Sequence, residues 1–155
     1  MLEIERKFLI RSEAYKMAAT SEERIIQGFL NTHAERTVRV RVKDNLGYLT
    51  IKGKSNEVGT TRFEWEKKID IEDAEALLVL CEKPILEKTR YKIPVGKHIF
   101  EVDEFYGANK GLIVAEVELT AEDEKFEKPD WLGDEVTGKV KYYNSKLIKN
   151  PFSEW

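Results

Sequence analysis

The sequence is poor in cysteine and histidine, the residues on which disulfides and many metal sites depend. Cys81 is the only cysteine among 155 residues, which excludes an intrachain disulfide and a cysteine-based metal cluster. The two histidines, His33 and His98, have no second histidine at the spacing of a ligand pair, which argues against a histidine-based metal site. This cysteine usage is typical of a reducing compartment and predicts a cytoplasmic protein.

Long apolar runs and the common nucleotide-binding loops are also missing. No segment approaches the roughly 20 apolar residues of a membrane-spanning helix, and Met1–Lys7 carries charge from its third residue onward, unlike a signal peptide. The chain has no Walker loop, no G-x-G-x-x-G and no G-x-S-x-G. The sequence therefore gives no support for a P-loop nucleotide site, a Rossmann dinucleotide site or the serine nucleophile of an α/β-hydrolase. We therefore predict a soluble protein without a membrane partner.

Charge, in contrast, is abundant and nearly balanced. Lys and Arg number 26, Asp and Glu number 29, and charged residues make up 35% of the chain, against about a quarter in an average protein. The net charge of −3 gives no general attraction for nucleic acid, so we predict no nucleic-acid partner. The length predicts one domain over residues 1–155.

Alternation of apolar and charged residues at a period of two dominates the chain and predicts about eight β-strands. They lie at the N-terminus and at Ile25–Asn31, Thr37–Val42, Tyr48–Lys54, Arg62–Ile69, Leu86–Ile93, His98–Phe105 and Leu112–Leu119. Short polar turns between neighbours predict antiparallel pairing. Helical spacing is limited to Ile71–Cys81, Ser12–Ala18 and short C-terminal pieces at Pro129–Gly133 and Asn144–Lys149, with Trp131 and Leu147 as apolar anchors.

One face of seven strands is charged at nearly every position. Because so few helices cannot cover two separate sheets, the pattern favours a closed barrel in an α+β fold. If the charged face points outward, it is solvated. If it points inward, it lines a lumen in which cations can hold phosphate and carboxylates can hold Mg²⁺ or Mn²⁺. The alternation does not distinguish these two arrangements.

Several segments resemble the motifs of one family. Glu3-Ile4-Glu5-Arg6-Lys7 resembles the E-x-E-x-K strand of the CYTH family, also called triphosphate tunnel metalloenzymes, which includes inorganic triphosphatases, thiamine-triphosphatases and class IV adenylate cyclases. The resemblance continues in order through Gln27–Leu30, Arg39–Arg41, Leu49–Lys52, Arg62–Glu66, Glu87–Tyr91, Glu101–Asp103, Glu116–Glu118 and Glu135–Thr137, followed by Tyr142 and Asn144. It implies a closed eight-stranded antiparallel barrel whose charged face points inward, with a few peripheral helices.

The resemblance also implies roles for the charged residues. The implied metal ligands are Glu3, Glu5, Glu116 and Glu118, with Asp103 as a helper, and the implied triphosphate cradle is Lys7, Arg39, Arg41, Lys52, Lys88 and Arg90. Glu64 and Glu66 either bind metal or hold the arginines by ion pairing. A lysine buried among cations has a lowered pKa and can take a proton from water, which makes Lys52 and Lys88 the candidates for a catalytic base.

The expected function is metal-dependent hydrolysis of a triphosphate, with inorganic triphosphate as the leading substrate and Mg²⁺ or Mn²⁺ as cofactor. The alternatives are an adenylate cyclase that converts ATP to cyclic AMP and pyrophosphate, a non-catalytic polyphosphate or nucleotide binder, and a plain structural barrel. Phe29 stands where many family members have tyrosine, which rules out a Tyr–Lys pair at this position and keeps the binder hypothesis open. A monomer and a homodimer are both compatible with the sequence.

Overall fold

The computed structural model describes all 155 residues and contains nine strands and three helices. The strands are β1 (Leu2–Ile10), β2 (Ser21–Asn31), β3 (Arg36–Lys43), β4 (Leu46–Gly53), β5 (Thr61–Ile69), β6 (Glu82–Val95), β7 (His98–Phe105), β8 (Ile113–Glu118) and β9 (Leu132–Glu135). The helices are α1 (Tyr15–Ala18), α2 (Ile71–Leu80) and α3 (Asn144–Leu147). None of the helices combines the length and the apolar composition needed to span a bilayer.

Eight of the strands close into a barrel. Their order around the barrel is β5-β4-β3-β2-β6-β7-β8-β1, and β1 pairs again with β5 to complete the circle. Every pairing in this circle is antiparallel. The predicted closed eight-stranded antiparallel barrel is therefore confirmed.

The segment at Pro129–Gly133 was expected to be helical, and this prediction is wrong. It forms a turn that leads into β9, which pairs with the second half of β1 through Phe8↔Glu135 and Ile10↔Leu132. The physical reason is that β8 pairs with β1 only as far as Phe8, so the rest of β1 presents a free edge that another strand can complete. Trp131 remains an anchor, with 6% of its surface exposed.

The apolar core lies mainly outside the barrel wall, because the charged face of the strands points into the lumen. Three peripheral pieces cover the outward apolar face. The segment around α1 and Trp131 covers Phe100 and Val117, and α2 covers Val40. Residues 136–155, which follow β9 and are called the C-terminal segment below, pack Tyr142, Leu147 and Ile148 against Phe105 and Val114. Each piece thus buries apolar surface that water would otherwise contact.

Candidate functional site

The barrel encloses a cavity of about 720 Å³, and only three of the 25 residues that line it are hydrophobic. Twelve of the thirteen site residues predicted from the sequence line it: Glu3, Glu5, Lys7, Arg39, Arg41, Lys52, Glu64, Glu66, Lys88, Arg90, Glu116 and Glu118. The thirteenth, Asp103, lies behind Lys88 and Arg90 and is 1% exposed. Strand geometry explains this convergence, since residues two apart on a strand project to the same side.

The two ends of the cavity differ. Tyr143, Asn144 and Ser145 of the C-terminal segment line one end, and we call this the C-terminal end. Asn144 fixes the segment there through hydrogen bonds from Gln27 Nε2 at 2.8 Å and Lys88 Nζ at 2.9 Å. At the other end the lining includes Lys97, whose side chain is 74% exposed. The lumen therefore opens to solvent at the Lys97 end.

Arg39 and Arg41 on β3 share the carboxylate of Glu66. The distances from their Nη2 atoms to Glu66 Oε2 are 3.3 and 3.2 Å, and Thr50 Oγ1 donates to the same oxygen at 2.7 Å. Burial, reinforced by the neighbouring charge of Arg41, lowers the pKa of Arg39 to about 10. Only Nη2 of each arginine is hydrogen-bonded within the protein. The Nη1 atoms have no partner and are not buried, unlike the Nε atoms, so they remain available for an anion.

A second group of cations lies closer to the C-terminal end. Lys52 contacts Glu3 at 2.9 Å and Glu64 at 2.8 Å, and Arg62 Nε lies 2.9 Å from Glu3. Lys7 contacts Glu116 at 3.2 Å. Glu64 and Glu66 thus both pair with cations in this structure, as Glu3 and Glu116 do.

The sequence did not identify Arg62 and Tyr143 as site residues, although both line the cavity. Arg62 has the same strand parity as Glu64 and Glu66, and that signal could have identified it. The Tyr143 ring lies 5.4 Å from Lys7 Nζ and 6.0 Å from Arg62 Cζ, within the range of cation–π contacts. Tyr143 belongs to an irregular C-terminal segment, for which no periodic pattern indicates direction.

The carboxylates on β1 and β8 form a cluster of like charge. Glu5 lies opposite Glu118 in the strand register. Burial, followed by the charges of Glu116 and Glu3, raises the pKa of Glu5 to about 7. The nearest cation is Arg62, whose Nη2 is 3.8 Å away. Burial would also raise the pKa of Glu3, but Lys52 and Arg62 outweigh it and lower that pKa to about 2.

The carboxylate oxygens of this cluster are the type of ligand atom that a hard divalent cation prefers. No three of the carboxylates converge closely enough here to enclose a metal ion, because Lys52 and Arg62 engage Glu3, and Lys7 engages Glu116. Glu5, in contrast, is a half-buried carboxylate in the lumen wall, with no close hydrogen-bond donor and with carboxylates as neighbours. Oxygen ligands of this kind suit Mg²⁺ and Mn²⁺, whose charge relieves the repulsion between them.

Asp103 is the centre of a buried network with Lys88 and Arg90. Lys88 Nζ donates to its Oδ2 at 2.7 Å, and Arg90 donates to both oxygens, from Nε at 2.7 Å and from Nη2 at 2.8 Å. Burial lowers the pKa of Lys88 to about 8, aided by the charge of Arg90 and opposed by Asp103. Both Asp103 oxygens are occupied, so its direct role here is to orient the two cations.

We expect Asp103→Asn to destabilise the protein by about 3–5 kcal/mol, because the change removes the carboxylate that Lys88 and Arg90 share and leaves buried Lys88 without an ion-pair partner, whereas Arg90 keeps Glu101. Asp123→Asn, an exposed change of the same chemistry, should stay within about 0.5 kcal/mol of the wild type. Urea unfolding at pH 7 measures both. Equal stability of the two variants would show that the Asp103 network contributes nothing to folding.

Comparison with known proteins agrees with this geometry. Residues 1–149 match the family model of the CYTH domain. An inorganic triphosphatase of Acetivibrio thermocellus is 46% identical over 154 residues, which cover 99% of this chain and 97% of the relative. An inorganic triphosphatase of Nitrosomonas europaea is 36% identical over 152 residues, which cover 95% and 97%.

Solved structures share the architecture. The crystal structure of an inorganic triphosphatase superposes with a TM-score of 0.67 at 32% identity and covers 94% of this chain and 97% of its own. A Hippeastrum protein, described as a putative adenylyl cyclase with a dominant triphosphatase activity, has a TM-score of 0.62 at 15% identity and covers 77% and 80%. The second likeness shows the fold alone. The whole-length family match, the identities above 30% and the lumen of paired charges together establish that this chain belongs to the CYTH domain family.

Proposed function

We propose that this protein is a metal-dependent phosphohydrolase that cleaves inorganic triphosphate inside the barrel lumen. The observation that carries the proposal is the convergence on one cavity of arginines with unpaired donors, Arg39 and Arg41, and of a like-charged carboxylate cluster centred on Glu5. Cations suit the phosphate oxygens, and carboxylates suit a divalent metal. The names of the relatives, both inorganic triphosphatases, support the same activity.

The composition of the lumen favours inorganic triphosphate over ATP and thiamine triphosphate. Only three lining residues are hydrophobic, whereas a pocket for an organic group is usually lined mainly by apolar and aromatic side chains. A wall of charge recognises a small polyanion that has no apolar part. The same feature argues against the adenylate cyclase alternative, which requires a place for adenine.

The proposed roles follow from position. Lys7, Arg39, Arg41, Lys52 and Arg90 bind the phosphate oxygens, and Arg62 joins them. Glu3, Glu5, Glu116 and Glu118 would hold Mg²⁺ or Mn²⁺, which supplies positive charge to the phosphates and lowers the pKa of a coordinated water. Attack by water on a polyanion is opposed by like charge, so the surrounding cations lower the barrier by neutralising the oxygens. They also hold the chain in line for displacement.

Lys88 is the proposed base. Because its pKa is about 8, the Lys88 amine is neutral in a fraction of the molecules near physiological pH. A neutral amine can accept the proton of the attacking water. As the water oxygen bonds to a terminal phosphorus, the bond from that phosphorus to the bridging oxygen breaks, releasing orthophosphate and pyrophosphate. Lys52, the other candidate for the base, is ion-paired with both Glu3 and Glu64. We therefore assign it to phosphate binding and not to proton transfer.

A substrate panel tests the proposal. The purified protein is incubated with inorganic triphosphate, ATP or thiamine triphosphate, each with Mg²⁺, Mn²⁺ or EDTA, and the products are identified. We expect orthophosphate and pyrophosphate from inorganic triphosphate, only when a divalent cation is present. Cyclic AMP as the main product would identify a cyclase, and binding without turnover would identify a non-catalytic binder.

Arg39→Ala should weaken binding of triphosphate by roughly 10- to 150-fold, the equivalent of one lost charge-assisted hydrogen bond of about 1.5–3 kcal/mol. Glu66 keeps Arg41 as a partner, so the fold should persist. Arg36→Ala, on the same strand but exposed, serves as the control. Calorimetric titration with triphosphate measures both, and affinities within twofold of each other would show that Arg39 is not part of the cradle.

A further inference from the structure

Asn144 presents a neutral side chain to the charged lumen from the C-terminal segment. Its Oδ1 accepts hydrogen bonds from Lys88 Nζ at 2.9 Å and from Gln27 Nε2 at 2.8 Å. In its ammonium form Lys88 can only donate, which turns the amide oxygen of Asn144 toward Lys88 and the amide nitrogen away from it. Oδ1 is the only atom of this amide that is hydrogen-bonded within the protein, so both protons of Nδ2 remain available.

Gln27 shows that this orientation is enforced. Its side chain is completely buried, and its Oε1 has no hydrogen-bond partner. Turning the Gln27 amide over would place Oε1 against Oδ1 of Asn144, two acceptors facing each other. The protein therefore keeps one buried acceptor unpaired, at a cost in stability, in order to hold Asn144 in one orientation. Such a local conflict next to a cavity is typical of a functional constraint.

We propose that Asn144 Nδ2 donates a hydrogen bond to a phosphate oxygen of bound triphosphate at the C-terminal end of the lumen. The inference rests on the proposed function and adds to it a substrate contact made by a neutral group. The Asn144 amide lies beside the proposed base, because Lys88 Nζ and Asn144 Oδ1 are in direct contact, so a phosphate group placed for attack beside Lys88 also lies next to Nδ2. Lys7, Arg62 and Tyr143 surround the same end, so a neutral donor binds an oxygen there without repelling its cationic neighbours.

Asn144→Asp separates this role from a purely positioning one. The aspartate keeps an acceptor for Lys88 and Gln27 but replaces the donor with a negative charge. Ser145→Asp adds the same charge to the neighbouring residue of the cavity lining and measures how much affinity the repulsion alone removes. If Asn144 donates to phosphate, Asn144→Asp should bind triphosphate at least about tenfold more weakly than Ser145→Asp, the loss of one good contact. If Asn144 only positions Lys88, the two variants should bind with the same affinity.

The measurement is calorimetric titration with inorganic triphosphate in EDTA, at low salt and at about 0.5 M KCl, where the Debye length is about 4 Å and long-range repulsion is screened. Asn150→Asp adds the same charge to an exposed position of the same segment and should bind within twofold of the wild type. We expect the Asn144→Asp defect to persist at high salt. KM with Mg²⁺ should rise in parallel, by at least about tenfold.

Three results would overturn the inference. The first is an affinity of Asn144→Asp equal to that of Ser145→Asp, and the second is a defect that disappears at high salt. The third applies if Asn144→Asp does not fold. Asn144→Ala then takes its place, because alanine has no side-chain donor, and wild-type affinity in that neutral variant would equally exclude the contact. If the wild type and Asn150→Asp themselves fail to bind triphosphate, the proposed function fails as well, and this outcome is distinct from a failure of the Asn144 contact alone.

Discussion

Glu5→Gln should lower the turnover of inorganic triphosphate by roughly a hundredfold or more and should raise the melting temperature of the metal-free protein. The loss of activity follows because one charge is removed from a carboxylate set suited to a hard cation. The gain in stability follows because Glu5 is partly desolvated beside the like charges of Glu116 and Glu3 and has only Arg62 near it, at 3.8 Å. Excess Mn²⁺ should partly restore activity.

The stability gain has a defined pH dependence. The pKa of Glu5 is raised from 4.5 to about 7 in the folded protein, so the folded state holds this proton more tightly than the unfolded chain. The contribution of Glu5 to stability therefore falls as pH rises from 4.5 to about 7 and stays low above it. Thermal melts of the metal-free proteins should show the largest advantage of Glu5→Gln above pH 7.

Glu3→Gln is the matched control, since Glu3 lies two residues away on the same strand face. Both oxygens of Glu3 are engaged, by Lys52 and by Arg62, so the same substitution should lower the melting temperature. The two variants should thus shift stability in opposite directions. A Glu5→Gln protein that is fully active and less stable than the wild type would mean that Glu5 is a structural ion-pair partner.

Lys88→Met should lower kcat by about 10²- to 10⁴-fold, the usual contribution of a general base. Affinity for triphosphate should fall much less, because Lys7, Arg39 and Arg90 still line the lumen. The fold should persist, since Asp103 keeps both of its bonds to Arg90. Single-turnover kinetics with Mg²⁺, together with calorimetric binding, measure the two effects separately.

Lys92→Met provides the comparison, because Lys92 lies four residues after Lys88 on the inward face of β6 and its side chain is more exposed. The kcat of the Lys92→Met variant should remain within about tenfold of the wild-type value, because only one solvent-screened charge is lost. Equal losses of kcat in the two variants would show that Lys88 acts only through its charge and is not the base.

The strands could be predicted from the sequence because alternation at a period of two is a local property. The direction of the charged face could not be derived from that pattern, since Glu116 and Glu118 alternate with Val117 whichever way the sheet curls. Closure of β1 onto β5 sets the direction, and closure depends on pairing between residues far apart in the chain. The family resemblance implied that the charged face points inward, and the structure confirms this direction.

The family motif includes Asn144 and the spacing predicts the short helix that begins there, but the place of Tyr143 and Asn144 in the lumen could not be predicted, for a different reason. Tyr143 and Asn144 lie at the start of a single helical turn after an irregular segment, where no periodicity assigns a side to each residue. The error at Pro129–Gly133 has a similar origin, because β9 forms only where β8 leaves the edge of β1 free. Tertiary pairing decided these positions, and local propensity did not.

A crystal structure of the protein soaked with Mn²⁺ and inorganic triphosphate, with anomalous diffraction recorded to locate manganese, would place metal and substrate directly. We expect manganese within coordination distance of Glu5 and the β8 carboxylates Glu116 and Glu118. The phosphate chain should lie on Arg39, Arg41 and Arg90, with its inner end against the C-terminal segment. Manganese bound elsewhere, or triphosphate bound only to the outer surface of the barrel, would contradict the proposal that the lumen is the site of metal-dependent triphosphate hydrolysis.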